Sequence, residues 1–90
     1  MKNKDAIPRI QARLPFKGSN MFGESVGTSA YAVYSYGYHF PMAVHDGERW
    51  WTNEGSYSPT TGRHQSIVRQ AVQGEAVCTH HLKELIREAV

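Results

Sequence analysis

The clearest pattern in the chain is the run from Ser29 to Phe40, SAYAVYSYGYHF. Tyr34, Tyr36, Tyr38 and Phe40 recur at every second position, so one strand would carry them on a single face, with Tyr31 and Val33 on the other. Gly37 marks a bulge or bend, and Pro41 fits poorly in a central strand, so a boundary is expected at Pro41. In the following MAVHDGERWWT, Asp46-Gly47 between half-apolar runs is a hairpin signal. A two-residue loop sets His45 opposite Glu48, Val44 opposite Arg49, Ala43 opposite Trp50 and Met42 opposite Trp51. The two tryptophans then point to opposite faces, and one is partly exposed unless both faces are covered.

Beyond the turn NEGSYS, the period changes from two to 3.6. Ser58-Pro59-Thr60-Thr61 reads as a helix start, with His64, Ile67, Val68, Ala71 and Val72 at helical spacing and Gly74 as a left-handed stop. Thr79 caps a second helix whose Leu82, Leu85, Ile86, Ala89 and Val90 share a face. All ten aromatic residues lie between Phe16 and Tyr57, so sheet precedes helices along the chain. The expected fold is α+β: a three-stranded antiparallel meander (β-β-β) packed against two C-terminal helices through its aromatic face. Residues 29–90 would form this domain. Residues 1–28 lack clear periodicity and read as a basic, partly flexible N-terminal arm, with one weak strand around Arg9 to Leu14.

Size and composition narrow the class. Ninety residues allow one small core, and no apolar run is long enough to span a bilayer. The opening MKNKDAIPRI has the positive end of a secretion signal but not the apolar stretch of about 7–15 residues that follows one. One cysteine, Cys78, cannot make an internal disulfide, so a cytoplasmic location is expected. The net charge of +2 is uneven. Residues 1–18 carry +4 and residues 19–57 carry −3, from Glu24, Asp46, Glu48 and Glu54 against Arg49. A basic arm ahead of a slightly acidic body can steer toward phosphate or toward an acidic protein surface.

Signals for chemistry are sparse. Cys78, His80 and His81 crowd together without the paired spacing of a zinc site, so neither metal nor cofactor is expected. Cys78 near a helix start resembles an activated nucleophile in position alone, with no oxyanion-hole pattern beside it. There is no Walker sequence and no GxGxxG after a strand. The alternating tyrosines suggest a base-stacking sheet, but that stretch is acidic rather than basic. The acidic Asp46, Glu48 and Glu54 are explained as solvated turn residues. No enzymatic activity is expected.

Tyr34-Ser35-Tyr36-Gly37-Tyr38-His39-Phe40-Pro41, then Trp50-Trp51, then Tyr57-Ser58-Pro59-Thr60-Thr61-Gly62-Arg63-His64-Gln65 together resemble a family of short uncharacterised proteins from phages, plasmids and related mobile elements. In that family a Ser-Tyr-Gly strand precedes a Tyr-Ser-x-Thr-Thr-x-x-His-Gln segment. The resemblance covers about residues 30 to 70 and implies a mobile-element setting rather than a mechanism. Physically, the second motif works as a structural corner: Ser58, Thr60 and Thr61 satisfy the first helical amides, and His64 reaches back to the sheet. Alternatively, the polar residues Thr60, Thr61, Arg63, His64 and Gln65 at the helix start grip a phosphate or carboxylate.

The expected function is that of a non-catalytic phage or mobile-element protein that docks on a larger host or viral complex, for instance as an anti-CRISPR-like inhibitor of a host defence nuclease. Tyr34, Tyr36, Tyr38, Trp50 and Trp51 would be the anchors, with Asp46 and Glu48 at the rim. The rival is a small DNA- or RNA-binding accessory protein using Lys2, Lys4, Arg9, Arg13, Lys17, Arg63, Gln65 and Arg69. A homodimer through an uncovered aromatic face also suits a core this small.

Overall fold

Strand β3, Ala30–Ser35, is buried at all six positions, and this is the feature around which the rest is arranged. A computed structural model describes residues 5–18, 20–38, 40–53, 59–72, 77–79 and 81–89. Along the chain run α1 (Ala6–Gln11), β1 (Phe16–Lys17), β2 (Met21–Val26), β3, β4 (Pro41–His45), β5 (Trp50–Asn53), α2 (Pro59–Val72), β6 (Val77–Thr79) and α3 (Leu82–Ala89). Among the described residues the strands form one sheet in sequence order, β1-β2-β3-β4-β5-β6. The first five make an antiparallel meander, and β6 joins β5 in parallel. The α+β class is as expected, but the antiparallel part has five strands rather than three.

Two of the extra strands and one helix come from the stretch read as an arm. The weak strand expected at Arg9 to Leu14 is instead the last three residues of helix α1 and its exit turn, with Ala6 and Ile10 of that helix fully buried. Arg13, at φ +55°, ends that helix in the left-handed conformation: its N–H donates to the Ile10 carbonyl and the Leu14 N–H to the Arg9 carbonyl. Residues 5–18 and 20–26 thus belong to the sheet and its cover. Lys2 and Lys4 lie outside the described residues.

Both faces of the sheet are covered. On one, α1 and α2 pack Ala6, Ile10, Val68, Ala71 and Val72 against Met21, Tyr31, Val33 and Trp50. On the other, Leu82, Leu85, Ile86 and Ala89 of α3 meet Ala30, Ala32, Tyr34, Val44 and Trp51. The expectation that both C-terminal helices roof one aromatic face is therefore corrected. A parallel neighbour for β5 needs a crossover, which α2 supplies. The chain then enters β6 and returns over the opposite face as α3. Trp50 and Trp51 do point to opposite faces, Trp50 buried and Trp51 half-buried.

The hairpin register differs from the expected one by two residues. His45 pairs with Trp50, Val44 with Trp51 and Ala43 with Thr52. Asp46 causes the longer loop: its Oδ1 accepts the N–H groups of Glu48 at 2.8 Å and Arg49 at 2.9 Å, and the Asp46 N–H donates to the Arg49 carbonyl at 3.1 Å. A shift of two preserves every side chain's face. Pro41 opens β4 as a boundary, but β3 ends earlier, at Ser35. Tyr36 then takes φ +66°, and the β3–β4 register slips between Val33 and Tyr34. The expected single face of four rings is consequently broken: Phe40 packs with the α2-side core and Tyr34 with the α3 side.

Gly23 is where the sheet is tightest. A Cβ there would overlap the Tyr31 hydroxyl and come within 2.6 Å of Phe16 Cε1. Gly23→Ala should destabilise the fold by about 1–3 kcal/mol, with the urea midpoint as the measurement.

Candidate functional site

Most of the expected anchors are built into the fold. Tyr34 and Trp50 are 3% and 7% exposed, and burial first, then Glu24 and Tyr38, push the Tyr34 hydroxyl up to about 12. Trp51 lies half-buried under α3, its Nε1 donating to Asp46 Oδ2 at 2.9 Å, with the Arg49 guanidinium 5.9 Å from its ring centroid. That Trp51 bond, followed by the Arg49 N–H, draws the Asp46 carboxyl down to about 2. Asp46 thus organises its own loop, and Glu48 beside it is exposed. Tyr36 and Tyr38 remain open at 52% and 62%.

Those two tyrosines serve different faces. Tyr36 tilts over His64 at 5.6 Å, on the α2 side. Tyr38 turns back over the α3 side, edge-on to Phe22 at 5.2 Å and to Tyr34 at 5.0 Å, while Phe22 stacks on Tyr34 at 5.0 Å. The Tyr38 hydroxyl donates to Glu24 Oε2 at 3.1 Å, a bond that raises the phenol's pKa. A groove of about 560 Å³ opens here, lined by Pro15, Lys17, Phe22, Glu24 and Tyr38 with Phe16 and Gly23. The register explains its composition. Lys17 stands opposite Phe22 and Phe16 opposite Gly23, so Pro15, Lys17, Phe22 and Glu24 fall on one face of the β1–β2 ladder. The groove is that face's uncovered end, an apolar aromatic floor with one cation and one anion at its edges.

Phe22, Glu24 and Pro15 were not among the residues expected from sequence. The available signal was Gly23 between them: a glycine inside a strand marks close backbone approach.

A second polar cluster lies inside. Ser35 Oγ and His64 Nδ1 share a 2.8 Å hydrogen bond, with both residues at or below 2% exposure. A serine–histidine pair is the chemistry of an activated nucleophile; here both groups are buried, with the Tyr36 ring tilted over the imidazole. This bond joins α2 to the end of β3 through the Ser35 hydroxyl, rather than through the strand carbonyl or tyrosine hydroxyl expected as the partner of His64. Ser58 and the side chains of Thr60, Thr61 and Arg63 lie outside the described residues. So do His80 and the side chain of Cys78, while His81 is exposed at the start of α3. Among the described residues no three metal-ligating side chains gather.

The residues named for nucleic-acid binding are dispersed. Gln65 is buried, its Nε2 donating to the Asn53 carbonyl at 3.4 Å. Arg13 Nη1 lies 3.1 Å from His45 Nε2, and His45 Nδ1 accepts the Gly47 N–H at 3.1 Å. Arg9 is exposed on α1 and Arg69 on α2, whereas Lys17 belongs to the groove. No helix among the described residues is long and apolar enough to cross a membrane. Together these features define a small α+β protein with an open aromatic groove at the end of its sheet. Comparison with protein-family models, curated proteins and solved structures found no match.

Burial holds His64 below the ordinary imidazole range; burial and the Arg13 guanidinium do the same for His45 against an opposing Asp46. Both histidines are then protonated more readily when unfolded, so the stability they lend is complete above the unfolded value of 6.5 and lost as pH falls below it. Urea midpoints should fall between about pH 7 and pH 5, and less in a His64→Gln variant. Ser35→Ala, which strands a buried ring nitrogen, should cost about 1–3 kcal/mol at neutral pH.

Proposed function

We propose that this chain is a non-catalytic interaction protein of a phage or related mobile element. It docks on a larger host or viral protein complex in the host cytoplasm, and inhibition of a host defence nuclease is one concrete form of that role. The observation that carries the docking reading is the groove at the uncovered end of the sheet, with Tyr38 62% exposed yet held in place by Glu24, Phe22 and Tyr34. A pre-positioned aromatic ring loses little freedom on binding and presents a large apolar area, which is why Tyr and Trp dominate interface hot spots. Leu14, next in the chain to the groove's Pro15, adds half-exposed apolar surface.

Of the expected anchors Tyr38 is kept, Phe22 is added, and Tyr34 and the two tryptophans are set aside as parts of the core. The mobile-element setting follows from the motif resemblance in residues 30 to 70, and the docking role from the groove.

Tagged wild-type protein and a Tyr38→Ala variant, each captured from host cells, test it. Tyr38 is on the surface, so the variant should keep its circular dichroism, with its urea midpoint lowered only by the lost ring contacts, while recovery of the partner complex falls by about tenfold or more. Equal recovery by both proteins, or recovery of nucleic acid alone, would sink the docking groove.

A further inference from the structure

The groove borders a free backbone edge. The Gly18 N–H donates to the Met21 carbonyl at 2.8 Å, which makes Gly18 and Met21 a hydrogen-bonded pair at the end of the β1–β2 ladder. Such pairs alternate along an antiparallel ladder. With Lys17 opposite Phe22 and Phe16 opposite Gly23, the bonds to β2 come from Phe16 and Gly18. The N–H and C=O of Lys17 therefore point the other way. Because β1 ends the strand order, they face outward, beside the groove. The Lys17 side chain is exposed, and among the described residues no ion pair holds its ammonium.

We propose that the partner contributes an extended peptide segment that adds antiparallel to β1, an inference that rests on the docking groove above. One residue of the segment exchanges both backbone hydrogen bonds with Lys17. Directly paired residues project their side chains to the same face, so this residue lies beside the Lys17 ammonium and is acidic. Two positions further along the segment, the next side chain on that face lies beside Pro15, in the row that carries Glu24 across the ladder, and enters the groove that Phe22 and Tyr38 floor. It is apolar. The recognised pattern, read from N to C, is acidic-x-apolar.

Edge strands are usually defended against indiscriminate pairing, and β1 carries those defences: two residues, a lysine and a preceding proline. Pro15 has no N–H to give, so the edge offers one complete pair of backbone bonds. That is too little to hold a strand without side-chain contacts, which places selectivity in the groove. A second copy of this chain is disfavoured by charge, because two β1 strands meeting about a two-fold axis at this pair would set Lys17 against Lys17.

Selection of a random peptide library of about eight residues on wild-type protein and on Lys17→Glu is the test. The wild type should enrich acidic-x-apolar sequences and Lys17→Glu basic-x-apolar ones. N-methylation of the acidic residue in a selected peptide should weaken binding about tenfold or more by removing the donor to the Lys17 carbonyl, and Tyr38→Ala should abolish it. Binding that needs Tyr38 but ignores both the Lys17 charge and N-methylation would overturn strand addition and leave the groove standing. No enrichment, or enrichment indifferent to Tyr38→Ala, would overturn both. A concentration-dependent dimer broken by Tyr38→Ala would assign the edge to a second copy and overturn the peptide.

Discussion

The structure depends on one strand that must be covered from both sides. β3 places Tyr31 and Val33 on one face and Ala30, Ala32 and Tyr34 on the other, and all are buried. A fully buried large apolar side chain is worth about 1.5–3 kcal/mol. Baring either face of β3 and its neighbours would forfeit several such contributions, against a net stability of about 5–15 kcal/mol for a typical domain. The helices therefore divide, α1 and α2 to one side and α3 to the other. The short parallel strand β6 lets the chain change sides between α2 and α3.

That division also leaves the groove. α3 has eight residues, about 12 Å of helix with a width of about 10 Å. Six strands at about 4.8 Å spacing make a sheet roughly 24 Å across. In neither orientation can α3 cover its whole face, and its main contacts are with β3, β4 and β5. Val26 at the far end of β2 still shares the α3 core, whereas Lys17 of β1 stays exposed. Phe22 would be bare there but for Tyr38, which folds back onto it and onto Tyr34. The groove is thus the remainder left by a cover helix too short for its sheet, dressed with one returning ring.

The sequence carried the central strands and the two C-terminal helices clearly, because each has a strong local period. α1 was hidden because its stop is Arg13 rather than glycine, and because Pro8 and Pro15 read as loop punctuation. Proline costs little in a first helical turn, where its missing N–H would have had no helical partner. The Asp46-Gly47 pair located the hairpin correctly but not its length: a carboxylate that captures two amides and the Trp51 indole stabilises a longer loop than the dipeptide implies. β6 could not be read from its own three residues, since its pairing with β5 comes from tertiary context. Of the site, Tyr38 was legible as an aromatic at period two. Its companions Phe22 and Glu24 were not, because they lie on a neighbouring strand whose apolar alternation Gly23 interrupts.

The redistribution of the tyrosines follows from one backbone choice. Continued as an extended strand past Ser35, the period-two pattern would send Tyr36, Tyr38 and Phe40 to alternate sites on the Tyr34 face. Tyr36 instead adopts a positive φ, which for a bulky residue costs about 1–3 kcal/mol. The surrounding contacts offset that cost. The Tyr36 N–H donates to the Asn20 carbonyl at 2.8 Å, its ring rests on His64, and His64 in turn holds Ser35, the residue before it. The strained residue is fixed from the α2 side, and the chain leaving it delivers Tyr38 to the opposite side. The buried Ser35–His64 bond and the exposed Tyr38 groove are accordingly two ends of one turn: the first over-determines the bend that the second needs.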